Sequence, residues 1–253
     1  MKVSPFLKFG LVVLIVSFFS PDNRASLYLL KNCKCFIGTI LKLYFLDLFM
    51  LTEALISYIL GSINFSWIVG KILKLNMEEY GDENLGATNL YYAAREKYTK
   101  NITTFSFLLG GLLDILKAFI PTYLFGPFVG SFAVLGHCFS IFSIAITKKV
   151  PSGVGAASLI GWLLGNSLEV MIPLAGLAIL TFLIGLPIFY DTFKYERAHS
   201  YYTFAILSAA LVYVSLFNPQ QQVIYGILIA AISSSFARVL RLRGMIKKWL
   251  KQS

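Results

Sequence analysis

Charge is what this chain has least of. Asp, Glu, Lys and Arg make up 13% of its 253 residues, about half the ~25% of an ordinary soluble domain. With 57% hydrophobic residues, a soluble fold would carry far more apolar surface than one core can bury. A bilayer accepts that surface, because each spanning helix takes ~20 largely apolar residues. Cysteine is scarce too, three in all: Cys33 and Cys35 form a lone C-x-C, and Cys138 lies in an apolar segment. Neither a disulfide framework nor a zinc site is implied, and no metal or cofactor is expected.

The charge that is present is mostly positive, +10 in total. In a soluble protein this would suggest nucleic acid. Here no basic soluble domain remains once the apolar segments are removed, so no nucleic-acid partner is expected. Lys and Arg instead belong in cytoplasmic loops, against anionic lipid headgroups.

Apolar segments run over about Glu53–Leu75, Ile102–Phe125, Phe128–Thr147, Leu168–Tyr190, Tyr201–Phe217 and Val223–Leu240, with a short one at Gly153–Gly165. Counting the short segment as a thin crossing gives seven spans. The loops on one side then hold Arg95, Lys97 and Lys100, then Lys148 and Lys149, then Lys194 and Arg197, and finally the basic tail from Arg241. The opposite loops, Gly126-Pro127, Asn166-Ser167 and Asn218–Gln222, contain no Lys or Arg. The positive-inside rule puts the C-terminus in the cytoplasm and the N-terminus of the core outside. The expected fold class is therefore an all-α, polytopic integral membrane helix bundle. It is expected to be a single domain over residues 50–253. Residues 1–49 fit that pattern poorly. Phe9–Phe19 has the length of a signal-peptide core without a small-residue cleavage site after it, and Lys42 and Asp47 interrupt the next apolar run. An extra anchor, a signal sequence, or upstream sequence before a true start at Met50 are the competing readings.

Chemistry is concentrated in few places. Gly81-Asp82-Glu83-Asn84-Leu85-Gly86-Ala87-Thr88-Asn89 places two glycines, two asparagines and a threonine in a bendable backbone whose N–H groups can form an anion-binding nest. The same loop suits an ordinary turn before a helix, with Thr88 or Asn89 as cap. Asp114 and Lys117 are i, i+3 on one helix and so share a face. Within hydrocarbon such a pair should face the bundle interior or water. His137 follows Gly136 in an apolar helix. It suits either a cross-helix hydrogen bond or a role in orienting a substrate oxygen or moving a proton.

These residues resemble a known family, the PlsY-type membrane glycerol-3-phosphate acyltransferases. Tyr58-Ile59-Leu60-Gly61-Ser62-Ile63 resembles the opening Y-L-L-G-S-I. Asn84-Leu85-Gly86-Ala87-Thr88-Asn89 resembles N-x-G-A-T-N, Leu113–Lys117 resembles L-D-x-x-K, and Leu135–Phe139 resembles L-G-H-x-F. The matches fall in order across Met50–Leu164. The resemblance implies a seven-helix bundle in the cell (inner) membrane with its site facing the cytoplasm. It implies transfer of an acyl group from acyl phosphate to glycerol 3-phosphate, giving lysophosphatidic acid for phospholipid synthesis. On that reading Asn84, Gly86, Thr88 and Asn89 bind phosphate and substrate with Lys149 and Arg197. His137 orients or relays a proton, and Asp114 and Lys117 are structural or electrostatic. Membrane lipid is the remaining partner.

The sequence departs from the family at Glu78, where Arg is usual, at Asp82 for Ser and at Glu83 for Gly. Lys149-Val150-Pro151-Ser152-Gly153 replaces K-G-G-K-G. Anions standing where a phosphate should bind predict feeble transfer. Two alternatives therefore stand beside the enzyme: a weak or inactive paralogue serving as a membrane partner, and a small-solute transporter using Asp114, Lys117 and His137 at mid-membrane.

Overall fold

In the computed structural model of the chain, residues 48–80, 84–148, 150–190, 198–217 and 219–252 are described. The chain divides into two units, residues 1–51 and 52–253. Of the first, only residues 48–51 are described, and they are helical. The expectations for the preceding residues lie outside the described part.

The second unit is all helical among its described residues. Its elements are α1 (52–62), α2 (Phe65–Ile72), a 3-10 turn (Met77–Glu79), α3 (Ala87–Lys97), α4 (Lys100–Phe125), α5 (Pro127–Cys138), α6 (Ile141–Thr147), α7 (Ala156–Leu164), α8 (Leu168–Tyr190), α9 (Ala198–Phe217) and α10 (Gln221–Gln252). Among the described residues four stretches are long and apolar enough to cross a membrane: Leu48–Ile72, Lys100–Phe125, Pro127–Thr147 and Gln221–Arg241. Shorter apolar helices occur at Leu168–Thr181 and Ala205–Phe217. Leu51, Phe105, Leu112, Leu183 and Phe236 are exposed, as lipid-facing side chains must be.

The ends of these helices follow from their sequence. Gly126 closes α4 at φ 90°, and Pro127 opens α5 at its first turn. Glycine accepts the positive φ without a Cβ penalty, and proline lacks an N–H that the first turn could not have used. Ser140 caps α6, its hydroxyl accepting the Ser143 N–H at 3.1 Å. Two apolar runs that read as continuous in sequence are interrupted. The first breaks at Ile63-Asn64 between α1 and α2, and the second at Phe139-Ser140 between α5 and α6.

α10 packs on α5, α7 on α4, and α9 on α8. The core joins Ala118 of α4, Ala133 and Val134 of α5, Trp162 of α7, and Ile227 and Ala230 of α10. Small residues let the helices touch. A Cβ at Gly136 would lie 2.2 Å from the Tyr58 carbonyl oxygen, so α1 and α5 cross backbone on backbone. The short α7 packs the same way on α4. A second, smaller cluster of Val69, Met77, Leu85, Leu90 and Ala93 ties α2, the 3-10 turn and α3 together. At one end of the unit, residues of all three loops that lack Lys and Arg line a single cavity.

Candidate functional site

The broken helices create the chemistry. A break inside hydrocarbon frees backbone groups that water cannot reach, so the protein must satisfy them internally. Lys117 Nζ donates to the Ile63 carbonyl at 2.6 Å and also lies 3.5 Å from Asn64 Oδ1. The Ser140 hydroxyl donates to the Ser62 carbonyl. The Tyr58 hydroxyl donates to the Phe139 carbonyl at 2.7 Å. Each break is thus closed by a side chain from an element that faces it.

Asp114 anchors the other side of the same cluster. Its carboxylate accepts from the Phe65 N–H at 3.2 Å and from the Ser66 hydroxyl at 2.6 Å, and Lys117 Nζ lies 2.9 Å away. Asp114 and Lys117 are 1% and 5% exposed. The i, i+3 pair therefore faces the bundle interior, one of the two placements the sequence allowed. An ion pair so deep is tolerated only because hydrogen bonds saturate both partners. Phe65 is the first residue of α2, where free N–H groups and the helix dipole also favour a carboxylate.

His137 joins this cluster from the last turn of α5. It is buried, and its Nδ1 lies 3.8 Å from Asp114 Oδ1, too far for a hydrogen bond. Among the described residues Nδ1 has no hydrogen-bond partner. The other ring edge is covered by Gly153, where a Cβ would come within 2.5 Å of Nε2. The chain holding Gly153 is fixed by Ser152. Its hydroxyl accepts the Ser140 N–H at 2.8 Å and lies 2.9 Å from the His137 carbonyl oxygen, to which it can donate. Sequence reasoning marked Ser152 only as a departure from a lysine; here it stitches the loop to the end of α5.

The glycine- and asparagine-rich loop leads into α3. Gly86 is its N-cap, a residue that has no side chain to cap with. This corrects the reading of Thr88 or Asn89 as cap. Asn89 is buried and instead donates to the Met77 carbonyl at 2.8 Å, while Thr88 is exposed. Asn84 is buried beside Gly86, where a Cβ would meet its amide at 3.6 Å. A helix N-terminus led by glycine favours an anion. That of α3 lies close to the buried cluster. A Cβ at Gly111 would touch Ala87, and one at Gly110 would touch both Ser66 and Leu90. Asp114 is three residues further along α4 than Gly111, ~4.5 Å of helical rise.

Lys149, Arg197, Asp82 and Glu83 lie outside the described residues. Glu78 is described, and it is engaged. It accepts from Trp67 Nε1 at 2.9 Å and pairs with Lys71 at 3.2 Å. Partial burial pushes its carboxyl up, but these hydrogen bonds and the Lys71 charge outweigh that and hold it below its ordinary value. Two arginines that sequence reasoning counted only as basic-tail or span residues also approach the site. Arg238 is buried on α10, and Arg241 donates to the Pro151 carbonyl at 3.2 Å. Their i, i+3 spacing at the end of an apolar run was the available signal.

The fold and site define a polytopic helical membrane protein whose crossing helices are broken around a buried Asp–Lys pair. The model of one family, glycerol-3-phosphate acyltransferase, matches residues 51–252, and the chain belongs to that family. A glycerol-3-phosphate acyltransferase of Leptospira borgpetersenii serovar Hardjo-bovis (strain JB197) is 32% identical over 216 residues, covering 79% of this chain and 88% of that protein. One from Wolbachia sp. subsp. Brugia malayi (strain TRS) is 35% identical over 127 residues, 46% of this chain and 60% of the relative. Against a Thermosipho melanesiensis relative, 34% identical, the matched stretch covers half of its length. This chain thus spans less than two thirds of the length of the Wolbachia and Thermosipho relatives. The crystal structure of PlsY (YgiH), an integral membrane glycerol 3-phosphate acyltransferase, in its glycerol 3-phosphate form, shares the fold. Its TM-score is 0.55 at 23% identity, over 80% of this chain and 92% of that one.

Proposed function

We propose that this chain transfers an acyl group from acyl phosphate to glycerol 3-phosphate at the cytoplasmic face of the inner membrane, forming lysophosphatidic acid. The observation that carries the reading is the placement of α3. Its glycine-led N-terminus lies over Gly111, about one helical turn from the buried Asp114–Lys117–His137 cluster. An anion-accepting terminus and a polar cluster within a turn of each other suit a phosphorylated alcohol that must present its hydroxyl.

The chemistry asks little of the protein. The acceptor hydroxyl attacks the acyl carbonyl carbon, a C–O bond forms, and the bond from that carbon to the phosphate oxygen breaks. Inorganic phosphate leaves with the electron pair, and the hydroxyl proton passes to it or to a nearby base. Acyl phosphate is already activated, so positioning and stabilisation of negative charge supply the catalysis. Asn84, Gly86 and Thr88 bind phosphate from the α3 side, with Lys149 and Arg197 adding positive charge. Asn89 holds the loop through Met77. His137 Nδ1 orients the hydroxyl or relays its proton. Lys117 and Asp114 position the broken backbone beneath the site. An apolar cavity of about 270 Å³ between α7, α8, α9 and α10, lined by residues such as Leu159, Leu174 and Ile227, offers room for part of an acyl chain. The transporter alternative loses ground, because Lys117 and Asp114 are spent on closing backbone breaks.

The same reading takes residues 50–253 as the functional unit, crossing seven times with the C-terminus in the cytoplasm. The convergence of the three Lys- and Arg-free loops on one cavity supports it. Cysteine labelling at Gln221 and Ser253 from opposite sides tests the topology, and expression from Met50 tests the unit. Substrate binding is tested by titrating the full chain in nanodiscs with labelled glycerol 3-phosphate. Saturable binding displaced by unlabelled glycerol 3-phosphate is expected; glycerol displacing it equally well would count against phosphate recognition.

A further inference from the structure

We propose that the cavity at the end of the bundle away from the basic loops binds an ammonium group, carried by a zwitterionic lipid headgroup or by a small soluble amine. This cavity measures about 550 Å³, within the ~300–1,000 Å³ of ordinary ligand pockets. Gly126 lines it, twelve residues beyond Asp114 and so ~18 Å of rise along α4. It is separate from the acyl-transfer site and owes nothing to that reading.

The lining fixes the chemistry. Glu169, in the first turn of α8, is the only charged residue among those that line the cavity. Among the described residues no cation pairs with it. Asn166 uses its amide N–H₂ on the Trp162 carbonyl at 2.6 Å, which leaves its oxygen as an acceptor. Gln222 adds a second amide oxygen from the start of α10. Three aromatic rings complete the wall. Tyr213 is buried, whereas Tyr123 and Phe217 are 71% and 52% exposed.

A carboxylate, amide oxygens and aromatic side chains without Lys or Arg form a set that attracts a positive nitrogen and repels a bare phosphate. A hard divalent ion is a poor match, since it asks for six or more oxygen ligands. An alkyl chain is poorer still, because the carboxylate and amides would lose their hydration unpaid. The ammonium group alone uses every feature: a salt bridge to Glu169, hydrogen bonds to the amide oxygens, and the aromatic side chains of the wall.

The test uses the full chain in two arms. In nanodiscs of phosphatidylglycerol, tyrosine fluorescence is followed while ethanolamine or tetramethylammonium is added. In mixed phosphatidylethanolamine and phosphatidylglycerol, native mass spectrometry counts the lipid retained. Saturable response to the soluble amine identifies a free amine; selective retention of phosphatidylethanolamine identifies a lipid headgroup. Either supports the site, provided Glu169→Gln weakens the binding by roughly tenfold. Tyr123→Ala, at an exposed position, should weaken it by a further ~2- to 30-fold, and it keeps the test open should Glu169→Gln fold poorly. Absence of saturable binding in both arms, or binding unchanged in both variants, would overturn the proposal.

Discussion

Lys117 Nζ sits 2.6 Å from the carbonyl oxygen of Ile63, so a cation on α4 closes the break between α1 and α2. The same ammonium lies 2.9 Å from Asp114. Its role is thus double: it neutralises a buried carboxylate and satisfies a backbone acceptor that lipid cannot.

Lys117→Met should consequently do more than remove an ion pair. It leaves Asp114 charged and unpaired and Ile63 O without its donor. Losing one partner of a buried pair costs about 3–5 kcal/mol. We expect a marked fall in melting temperature and abundance. The double variant Asp114→Asn with Lys117→Met should lose less than the sum of the singles, and full additivity would show that the pair is not coupled.

Gly153 and Gly136 should fail in different ways. Gly153→Ala sets a Cβ 2.5 Å from His137 Nε2, so the ring must move while the helices remain. Activity should drop by more than tenfold with little change in melting temperature. Gly136→Ala meets the Tyr58 backbone at 2.2 Å, and a helix crossing must open. There the melting temperature itself should fall. Equal effects on both readouts for the two variants would contradict this assignment.

Thr88 and Asn89 separate binding from support. Thr88 is exposed, and Thr88→Ala should raise the KM for glycerol 3-phosphate while leaving stability within about 0.5 kcal/mol. Asn89→Ala removes the bond to the Met77 carbonyl and should cost about 1–3 kcal/mol, because a buried acceptor is left unsatisfied. Steady-state kinetics beside thermal unfolding distinguishes them.

Glu78 stands where the family resemblance leads one to expect Arg, yet it is held by Trp67 and Lys71. Its carboxyl lies below the ordinary 4.5, so its contribution to stability is present above that value and is lost as pH falls through the folded-state value. Acidification below pH 4.5 should lower the melting temperature of the natural chain more than that of Glu78→Gln. Glu78→Arg should be less stable than Glu78→Gln, since it strips Trp67 of its acceptor and sets Arg against Lys71. A Glu78→Arg chain that is both stable and faster would mean that the side chain can swing into the site.

The apolar segments and the Asp114–Lys117 face were readable in the sequence, because each depends on spacing within one helix. The breaks at Ile63-Asn64 and Phe139-Ser140 were not, since the apolar pattern runs through them. What they leave open is a set of backbone carbonyls, which carry no sequence signature, and the side chains that close them come from elsewhere in the fold. The α3 cap was misread for a related reason: Asn89 has the chemistry of a cap but finds the Met77 carbonyl from another element. His137 was legible as a residue of interest. Its neighbour Gly153 lies in a loop whose approach only the fold determines. Lys149 and Arg197 rest on the family resemblance, as they lie outside the described residues.

The central claim is tested most directly by incubating the purified full chain with acyl phosphate and glycerol 3-phosphate and measuring both products. The account predicts slow formation of lysophosphatidic acid and inorganic phosphate in equal amounts, lowered by at least tenfold in Lys149→Ala and in His137→Ala. A folded chain that releases phosphate without forming lysophosphatidic acid, or forms neither, would contradict it.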